Sequence, residues 1–176
     1  MNKKLKESLK ACHALQYGDF TLASGKHSKY YIDIKRASTV PGVLSIIAEE
    51  METEMKRRGL KVDMIAGVVL GSVPLAVALS LRTGIPYVMV RKEKKDHGTG
   101  KLIEGALEEG MRVLVVEDVV TSAGSSAEAV AVLRNAGGKV DFVLAVIDRQ
   151  EGGMARLAEI GVELMPLLTA EEVLRG

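Results

Sequence analysis

The stretch RVLVVEDVVTSAGSS, residues 112–126, decides the fold. Residues 113–116 form a continuous apolar run of strand length, and the carboxylates Glu117 and Asp118 follow it directly. A continuous apolar run, unlike an alternating one, indicates a strand that is buried on both faces. The small and hydroxylated residues that come next are typical of a loop that opens a helix, which we expect over 126–135.

Strands and helices alternate on both sides of this stretch. Residues 64–70, 87–90, 112–116, 140–147 and 164–168 are predicted strands, and 42–58, 74–82, 126–135 and 154–160 are predicted helices. This order predicts an α/β fold with a mostly parallel central sheet flanked by helices. Nearer the N-terminus, Leu5, Leu9 and Cys12 recur at helical spacing, and 20–22 and 30–34 are two short predicted strands.

Composition limits the class of protein. The 176 residues carry 24 Lys plus Arg and 23 Asp plus Glu, so the net charge is 24 − 23 = +1, and the length fits one domain over 1–176. A net charge near zero gives no field for nucleic acid or for an anionic membrane, and 3% aromatic residues leave few stacking platforms. One cysteine and a charged N-terminal segment without an apolar signal core favour a cytoplasmic protein outside the membrane.

The segments that follow the predicted strands carry the candidate functional residues. In open parallel sheets, ligands bind beyond the carboxyl ends of the strands. The four segments there are GSVP at 71–74, RKEKKDH at 91–97, EDVVTSAGS at 117–125 and DRQ at 148–150. Each is more polar or richer in small residues than an ordinary connecting loop, so we expect the binding site at this edge of the sheet.

The loop 121–125 predicts a phosphate site. Small and hydroxyl-bearing residues at a helix N-terminus let backbone N–H groups and hydroxyls surround a phosphate at the positive end of the helix dipole. Glu117 and Asp118 would repel that phosphate, so we expect them to bind ribose hydroxyls, with or without a divalent cation. A plain helix cap and turn is the alternative. Neither a Walker motif nor a complete dinucleotide-binding glycine motif occurs in the sequence.

The hydrophobic strand, Glu-Asp, two aliphatic residues and Thr-x-x-Gly together resemble the signature of the type I phosphoribosyltransferases, which bind 5-phosphoribosyl 1-diphosphate (PRPP). Three more segments resemble orotate phosphoribosyltransferase. They are FTLxSGKxSxYYxD at 20–33, RKExKDHG at 91–98 and DRQEGG at 148–153. The resemblance therefore extends over most of the chain, from 20 to 153.

The resemblance implies a reaction and an assembly. Members transfer the 5-phosphoribosyl group from PRPP to orotate, giving orotidine 5′-monophosphate and pyrophosphate in pyrimidine (UMP) biosynthesis. They use Mg²⁺ that is held mainly by the substrate, so no dedicated protein ligands are expected. A small N-terminal hood at about 1–40, a flexible lid loop at about 91–104 and a homodimer with shared active sites are also implied.

The resemblance also implies roles for individual residues. Catalytic roles fall to Lys95, His97 and Asp118. The PRPP-binding residues would be Lys26, Arg91, Lys92, Lys95, His97, Glu117, Asp118, Val119, Val120, Thr121, Ser122, Ala123, Gly124 and Ser125. Gly71 and Ser72 would form the pyrophosphate loop, and Tyr30, Tyr31, Thr121 and Arg149 would bind orotate.

Several of these assignments have structural alternatives. The basic run 91–95 could be a solvated charged surface, and Arg149 could form a surface ion pair with Asp148 or Glu151. Ser72 stands where many relatives have glycine, and a glycine-only backbone conformation there would cost about 1–3 kcal/mol. His13 and His27 are interpreted as structural or surface residues.

Two other functions compete with orotate transfer. A regulator that binds PRPP and nucleic acid would need a recognition module and a basic face. Only 19 residues precede Phe20, fewer than a helix-turn-helix module needs, and the net charge is +1. Both observations disfavour a nucleic-acid-binding regulator. A transferase for a purine base is the second alternative, and the orotate-binding assignment of Arg149 and of Tyr30 and Tyr31 distinguishes it.

Overall fold

The computed structural model describes residues 3–21, 27–91 and 102–175. Within these residues the strands are β1 (Leu15–Thr21), β2 (His27–Ile32), β3 (Met64–Val68), β4 (Tyr87–Val90), β5 (Ile103–Glu104), β6 (Arg112–Val120), β7 (Lys139–Asp148) and β8 (Glu163–Thr169). The helices are α1 (Lys3–Ala11), α2 (Ile34–Ser38), α3 (Pro41–Arg57), α4 (Val73–Thr83), α5 (Gly124–Asn135), α6 (Gly153–Glu159) and α7 (Ala170–Leu174).

Six strands form the central sheet in the order β5-β4-β3-β6-β7-β8. Strand β3 pairs in parallel with β4 and with β6, and β7 and β8 continue the parallel pairing. Only the edge strand β5 is antiparallel among the strands of this sheet that the structure describes. The predicted α/β fold with a mostly parallel sheet is confirmed.

The sheet is covered on both faces, which explains its continuous apolar strands. One face packs Ile65 and Leu114 against helices α1, α3 and α4. The other face packs Ala66 and Val115 against α5 and α6. Successive side chains of a strand point to opposite faces of the sheet. Because both faces are covered, the side chains on both faces of each strand must be apolar.

A separate hairpin and a short helix lead into the site. Strands β1 and β2 pair antiparallel, and the ring centroids of Phe20 and Tyr31 lie 5.6 Å apart. Asp33 ends the hairpin and caps α2, because its Oδ1 accepts a hydrogen bond of 3.0 Å from the Arg36 N–H. Buried Ile34 and Ala37 fix this helix against the core below the hairpin.

Four expectations about the elements were wrong in detail. Strand β6 does not end at residue 116 but continues through the two carboxylates to Val120, hydrogen-bonded to β7. Residue 34 belongs to helix α2 rather than to the hairpin strand, and strand β1 begins at Leu15 rather than at residue 20. Helix α1 ends at Ala11, so Cys12 follows the helix and packs, half-buried, against the core.

The sequence pattern did not predict α2, β5 and α7. They have two to five residues each, which is too short for a repeating pattern of apolar residues to show. Strand β5 lies inside the segment that was predicted to be a lid; residues 92–101 of that segment lie outside the described residues. In the part of the chain that the structure describes, no helix combines the length and the apolar character needed to cross a membrane.

Candidate active site

A cleft of about 610 Å³ opens at the carboxyl edge of strands β3 and β6. The turn after β3, the end of β6, the start of α5 and helix α2 form its walls. Its polar and charged lining consists of Thr21, Tyr31, Lys35, Ser72, Glu117, Asp118, Thr121, Ser122, Ser125, Ser126 and Arg149. The cleft lies where the topology of an open parallel sheet places a ligand.

Glu117 forms the buried floor of the cleft. The residue is 5% exposed, and both of its carboxylate oxygens accept hydrogen bonds from serines. Ser72 Oγ donates to Oε2 at 2.7 Å and Ser126 Oγ donates to Oε1 at 2.9 Å. A buried carboxylate is costly without such partners, so two hydroxyls from other elements stabilise it here. Glu117 thereby joins the turn after β3 to the start of α5.

Asp118 is more accessible and faces a different wall. Its side chain is 16% exposed, Oδ1 accepts the Val119 N–H at 2.8 Å, and Oδ2 lies 3.6 Å from Lys35 Nζ. The carboxylate also lies against Gly71: a Cβ atom at that position would come within 2.2 Å of Asp118 Oδ2. A residue with a Cβ at 71 would therefore displace the Asp118 carboxylate, whereas glycine lets the backbone and the carboxylate approach closely.

The loop after β6, for which a phosphate site was predicted, lines the cleft and leads directly into helix α5. Residues 121–126 line the cleft, and α5 begins at Gly124 after Ala123, whose φ of 57° is left-handed. Alanine offers no side-chain acceptor, and in the described structure no side-chain cap bond is made at Ala123, so a ligand could accept hydrogen bonds from the first N–H groups of this twelve-residue helix. Gly153 supports the loop from behind, because a Cβ there would lie 2.5 Å from Val120 Cγ1.

Arg149 closes the other end of the cleft. It is 8% exposed, and its Nε donates to Glu151 Oε1 at 2.8 Å. A second nitrogen lies 3.4 Å from Ser28 Oγ, and the guanidinium lies 4.7 Å from the centroid of the Tyr30 ring. Glu151 is thus an ion-pair partner, as the structural alternative expected, but Arg149 is buried and Glu151 is half-buried, so the pair is not a fully exposed surface pair.

Most of the predicted site residues that the structure describes meet in this cleft. They are Tyr31, Gly71, Ser72, Glu117, Asp118, Val119, Val120, Thr121, Ser122, Ala123, Gly124, Ser125 and Arg149. Tyr30 contacts Arg149 instead of the cleft itself. Arg91 is not among the lining residues; it pairs with Glu104 at 3.3 Å. Lys26, Lys92, Lys95 and His97 lie outside the described residues.

Two findings differ from what the sequence predicted for this site. Ser72 has φ −93° and ψ −8°, an ordinary helical conformation, so it carries no glycine-only strain in this structure; the pyrophosphate-loop role of Gly71 and Ser72 stays a prediction. Lys35 lines the cleft and was not predicted. The available sequence signal was Asp33, a typical helix cap directly after a strand; it indicates the start of a helix but not that Lys35 faces the cleft.

The acidic floor fits a magnesium ion held largely by its substrate. Among the residues that the structure describes, no three His, Cys, Asp or Glu side chains converge as a metal cluster. Mg²⁺ is nevertheless commonly bound by one or two carboxylates together with substrate phosphates and water. Asp118 and Glu117, both lining the cleft, supply carboxylate oxygens of that kind.

Comparison with known proteins identifies the family. Residues 39–160 match the family model described as a phosphoribosyl transferase domain. The chain is 50% identical to orotate phosphoribosyltransferase of Methanosarcina mazei over 98% of this chain and 91% of that protein. Its fold matches crystalline orotate phosphoribosyltransferase of Aeropyrum pernix with a TM-score of 0.85 at 33% identity, covering 97% of this chain and 96% of that one.

A larger protein contains the same fold. Leishmania donovani UMP synthase matches with a TM-score of 0.86 at 30% identity, and the match covers 97% of this chain but 36% of that one. The likeness to relatives of similar length is the stronger evidence, because it extends over nearly the whole of both chains at high identity. The family suggested by the four sequence motifs is therefore confirmed: this protein belongs to the orotate phosphoribosyltransferases, within the type I phosphoribosyltransferase fold.

Proposed function

We propose that this protein transfers the 5-phosphoribosyl group of PRPP to orotate, which gives orotidine 5′-monophosphate and pyrophosphate in UMP biosynthesis. The observation that carries the proposal is one cleft in which the N-terminus of helix α5, two carboxylates and a buried arginine lie together. These groups match a 5-phosphate, ribose hydroxyls and an aromatic carboxylate. The named relatives of similar length support the same assignment.

The PRPP half of the cleft divides into three parts. Thr121 to Ser125 would hold the 5-phosphate through hydroxyls and the first N–H groups of α5. Glu117 and Asp118 would accept hydrogen bonds from the ribose hydroxyls, since carboxylates repel phosphate but bind vicinal hydroxyls. The turn Gly71–Ser72 would hold the diphosphate, with its backbone brought close to Asp118 by the missing side chain at 71.

In the orotate-binding part of the cleft, the main residue would be Arg149. Its planar guanidinium suits a carboxylate, and Tyr30, Ser28 and Glu151 hold it in one orientation at the end of β7. Tyr31 and Thr121 line the cleft and would flank the ring. A preoriented cation is favourable for substrate alignment, because little side-chain freedom is lost when the carboxylate binds.

The chemistry needs alignment and charge stabilisation. The bond between ribose C1 and the diphosphate oxygen breaks, and a bond from the orotate ring nitrogen to C1 forms while the proton of that nitrogen passes to the leaving diphosphate or to water. Negative charge therefore accumulates on the leaving diphosphate. Preorganised positive groups lower the energy of that state. Mg²⁺, when bound with PRPP, would neutralise part of the same charge.

The lid and the assembly belong to this proposal as well. Lys95 and His97 would stabilise the leaving group, and Lys26, Arg91 and Lys92 would contact phosphates. The lid would reach across a homodimer into the partner's cleft. A cytoplasmic location agrees with the single cysteine, Cys12, which is a free thiol.

An orotate assay tests the proposal directly. Purified protein with orotate, PRPP and Mg²⁺ should consume orotate, followed by its ultraviolet absorbance, and adenine or hypoxanthine should not replace it. Asp118→Asn should lower turnover roughly a hundredfold or more, since a preorganised polar group is lost. Asp141→Asn, at an exposed position near the opposite end of β7, is the matched control and should keep full activity. Turnover of a purine base without turnover of orotate would refute the substrate.

A further inference from the structure

Two cations line the cleft among the described residues, and they differ in accessibility. Arg149 is 8% exposed and already contacts Glu151, Ser28 and the Tyr30 ring. The Lys35 side chain is 61% exposed. A polyanionic substrate needs a cation that can reach it, and in the part of the chain described here Lys35 is the accessible one.

The position of Lys35 identifies the part of the substrate that it would meet. Its Nζ lies 3.6 Å from Asp118 Oδ2, and its Cε lies 3.1 Å from the place a Cβ would take at Gly71. Lys35 therefore stands where the turn after β3 meets the acid pair. The phosphate loop at 121–125 forms another wall of the cleft. With the 5-phosphate in that loop and the ribose on Asp118, the diphosphate is the group next to Lys35.

The local structure presents this lysine to the cleft. Helix α2 is held by the Asp33 cap and by the buried side chains of Ile34 and Ala37. The next residue, Arg36, is directed elsewhere, because its Nε donates to the Cys12 carbonyl at 3.1 Å. Of two adjacent cations on one helix, only Lys35 is therefore placed at the cleft.

The contact between Lys35 and Asp118 is loose enough to exchange. A separation of 3.6 Å is longer than a hydrogen bond, and an ammonium group has three donors. The Lys35 side chain is 61% exposed, and an exposed cation gains little from a single ion pair because water screens the charge. The ammonium can therefore leave the carboxylate when a more highly charged partner arrives.

We propose that Lys35 binds the diphosphate of PRPP and moves to it from Asp118, which leaves Asp118 for the ribose hydroxyls. The proposal rests on the proposed function, because it assumes that PRPP occupies this cleft. It assigns Lys35 two effects: it adds a positive charge beside the leaving group, and it keeps the carboxylate paired while the cleft holds no substrate.

Calorimetry with fragments of the substrate tests the assignment. Lys35→Ala should weaken the binding of PRPP and of inorganic pyrophosphate roughly tenfold to a hundredfold, the affinity of one charge-assisted contact. Ribose 5-phosphate, which lacks the diphosphate, should bind within about twofold of its wild-type affinity. Lys35→Arg should restore most of the binding. Lys29→Ala is the matched control, because Lys29 is 86% exposed on strand β2 and pairs with Asp19.

Kinetics separate a binding role from a structural one. Lys35→Ala should raise the KM for PRPP and reduce its dependence on salt, while the KM for orotate and the thermal midpoint stay as in Lys29→Ala. Equal binding of pyrophosphate by the Lys35 and Lys29 variants would overturn the inference, and so would an equal loss for ribose 5-phosphate or orotate. If the wild-type protein bound no PRPP at all, the proposed function would fail first, so the two failures are distinguishable.

Discussion

Replacing Ser72 by alanine should destabilise the protein by removing one hydroxyl from Glu117. The Ser72 Oγ donates to Glu117 Oε2 at 2.7 Å, and the two residues are 1% and 5% exposed, so water has little access to replace the bond. A hydrogen bond to a charged group contributes about 1.5–3 kcal/mol. Because the Ser126 hydroxyl remains on the other oxygen, we expect the lower half of this range, about 1.5–2 kcal/mol.

That loss is large enough to measure by thermal unfolding. For a chain of this size, 1 kcal/mol corresponds to about 2–4 °C, so the midpoint should fall by about 3–8 °C. Ser72 precedes α4 without donating or accepting a side-chain capping bond in the described structure, so alanine removes no helix cap. The measured change therefore reports mainly on the bond to Glu117.

Ser8→Ala is the control for this measurement. The Ser8 hydroxyl also bonds, to the Lys4 carbonyl at 2.8 Å, but this bond is exposed to solvent, and the loss of such a bond changes stability by about 0.5 kcal/mol or less. Ser72→Ala should also raise the KM for PRPP, since Glu117 loses part of its support. If Ser72→Ala unfolded at the same temperature as Ser8→Ala, the buried bond would contribute nothing and the reasoning would be wrong.

Two further substitutions test the site and the electrostatics. Gly71→Ala should weaken PRPP binding about tenfold or more in calorimetry, because the new Cβ would lie 2.2 Å from Asp118 Oδ2 and must displace it. Gly42→Ala is the control: its new Cβ has no heavy atom within 4 Å, so this variant should bind PRPP with wild-type affinity. Hydrogen bonds from Arg112 hold the pKa of Asp63 well below its ordinary value of 3.8, so this pair stabilises the fold above about pH 4 and the contribution is lost as the pH falls toward the lower folded value. Asp63→Asn should therefore lower stability most at neutral pH in urea unfolding and converge with wild type in strong acid; a constant difference at every pH would contradict it.

The central sheet was predictable because its signal is local. Strand β4 was predicted with its observed bounds, and β3 and β7 within one or two residues, since each is a continuous apolar run between helices. Such runs need two covered faces, and the helices that cover them follow in the same sequence. Fold class and the edge that holds the site then follow from topology alone.

The environment of the acid pair was not predictable, because tertiary contacts determine it. Charged residues are rarely buried, so the strand was predicted to end before Glu117. Its two serine partners lie 45 and 9 residues away in sequence, and no local pattern shows that they will meet it. Lys35 was missed for a similar reason: helix α2 is five residues long, which is too short for a period, and the approach to Asp118 exists only in the folded chain.

The continuation of β6 through the acid pair explains why two adjacent carboxylates have different surroundings. Successive side chains of a strand point to opposite sides, so Glu117 contacts Ser126 of α5 whereas Asp118 faces Lys35 of α2. A flexible loop would let both acids turn toward the same ligand. In a strand that is hydrogen-bonded to β7, one carboxylate is fixed by hydroxyls and the other is left near an exposed cation. In the proposed function, Glu117 would therefore define the shape of the ribose site, and Asp118 would respond when PRPP enters it.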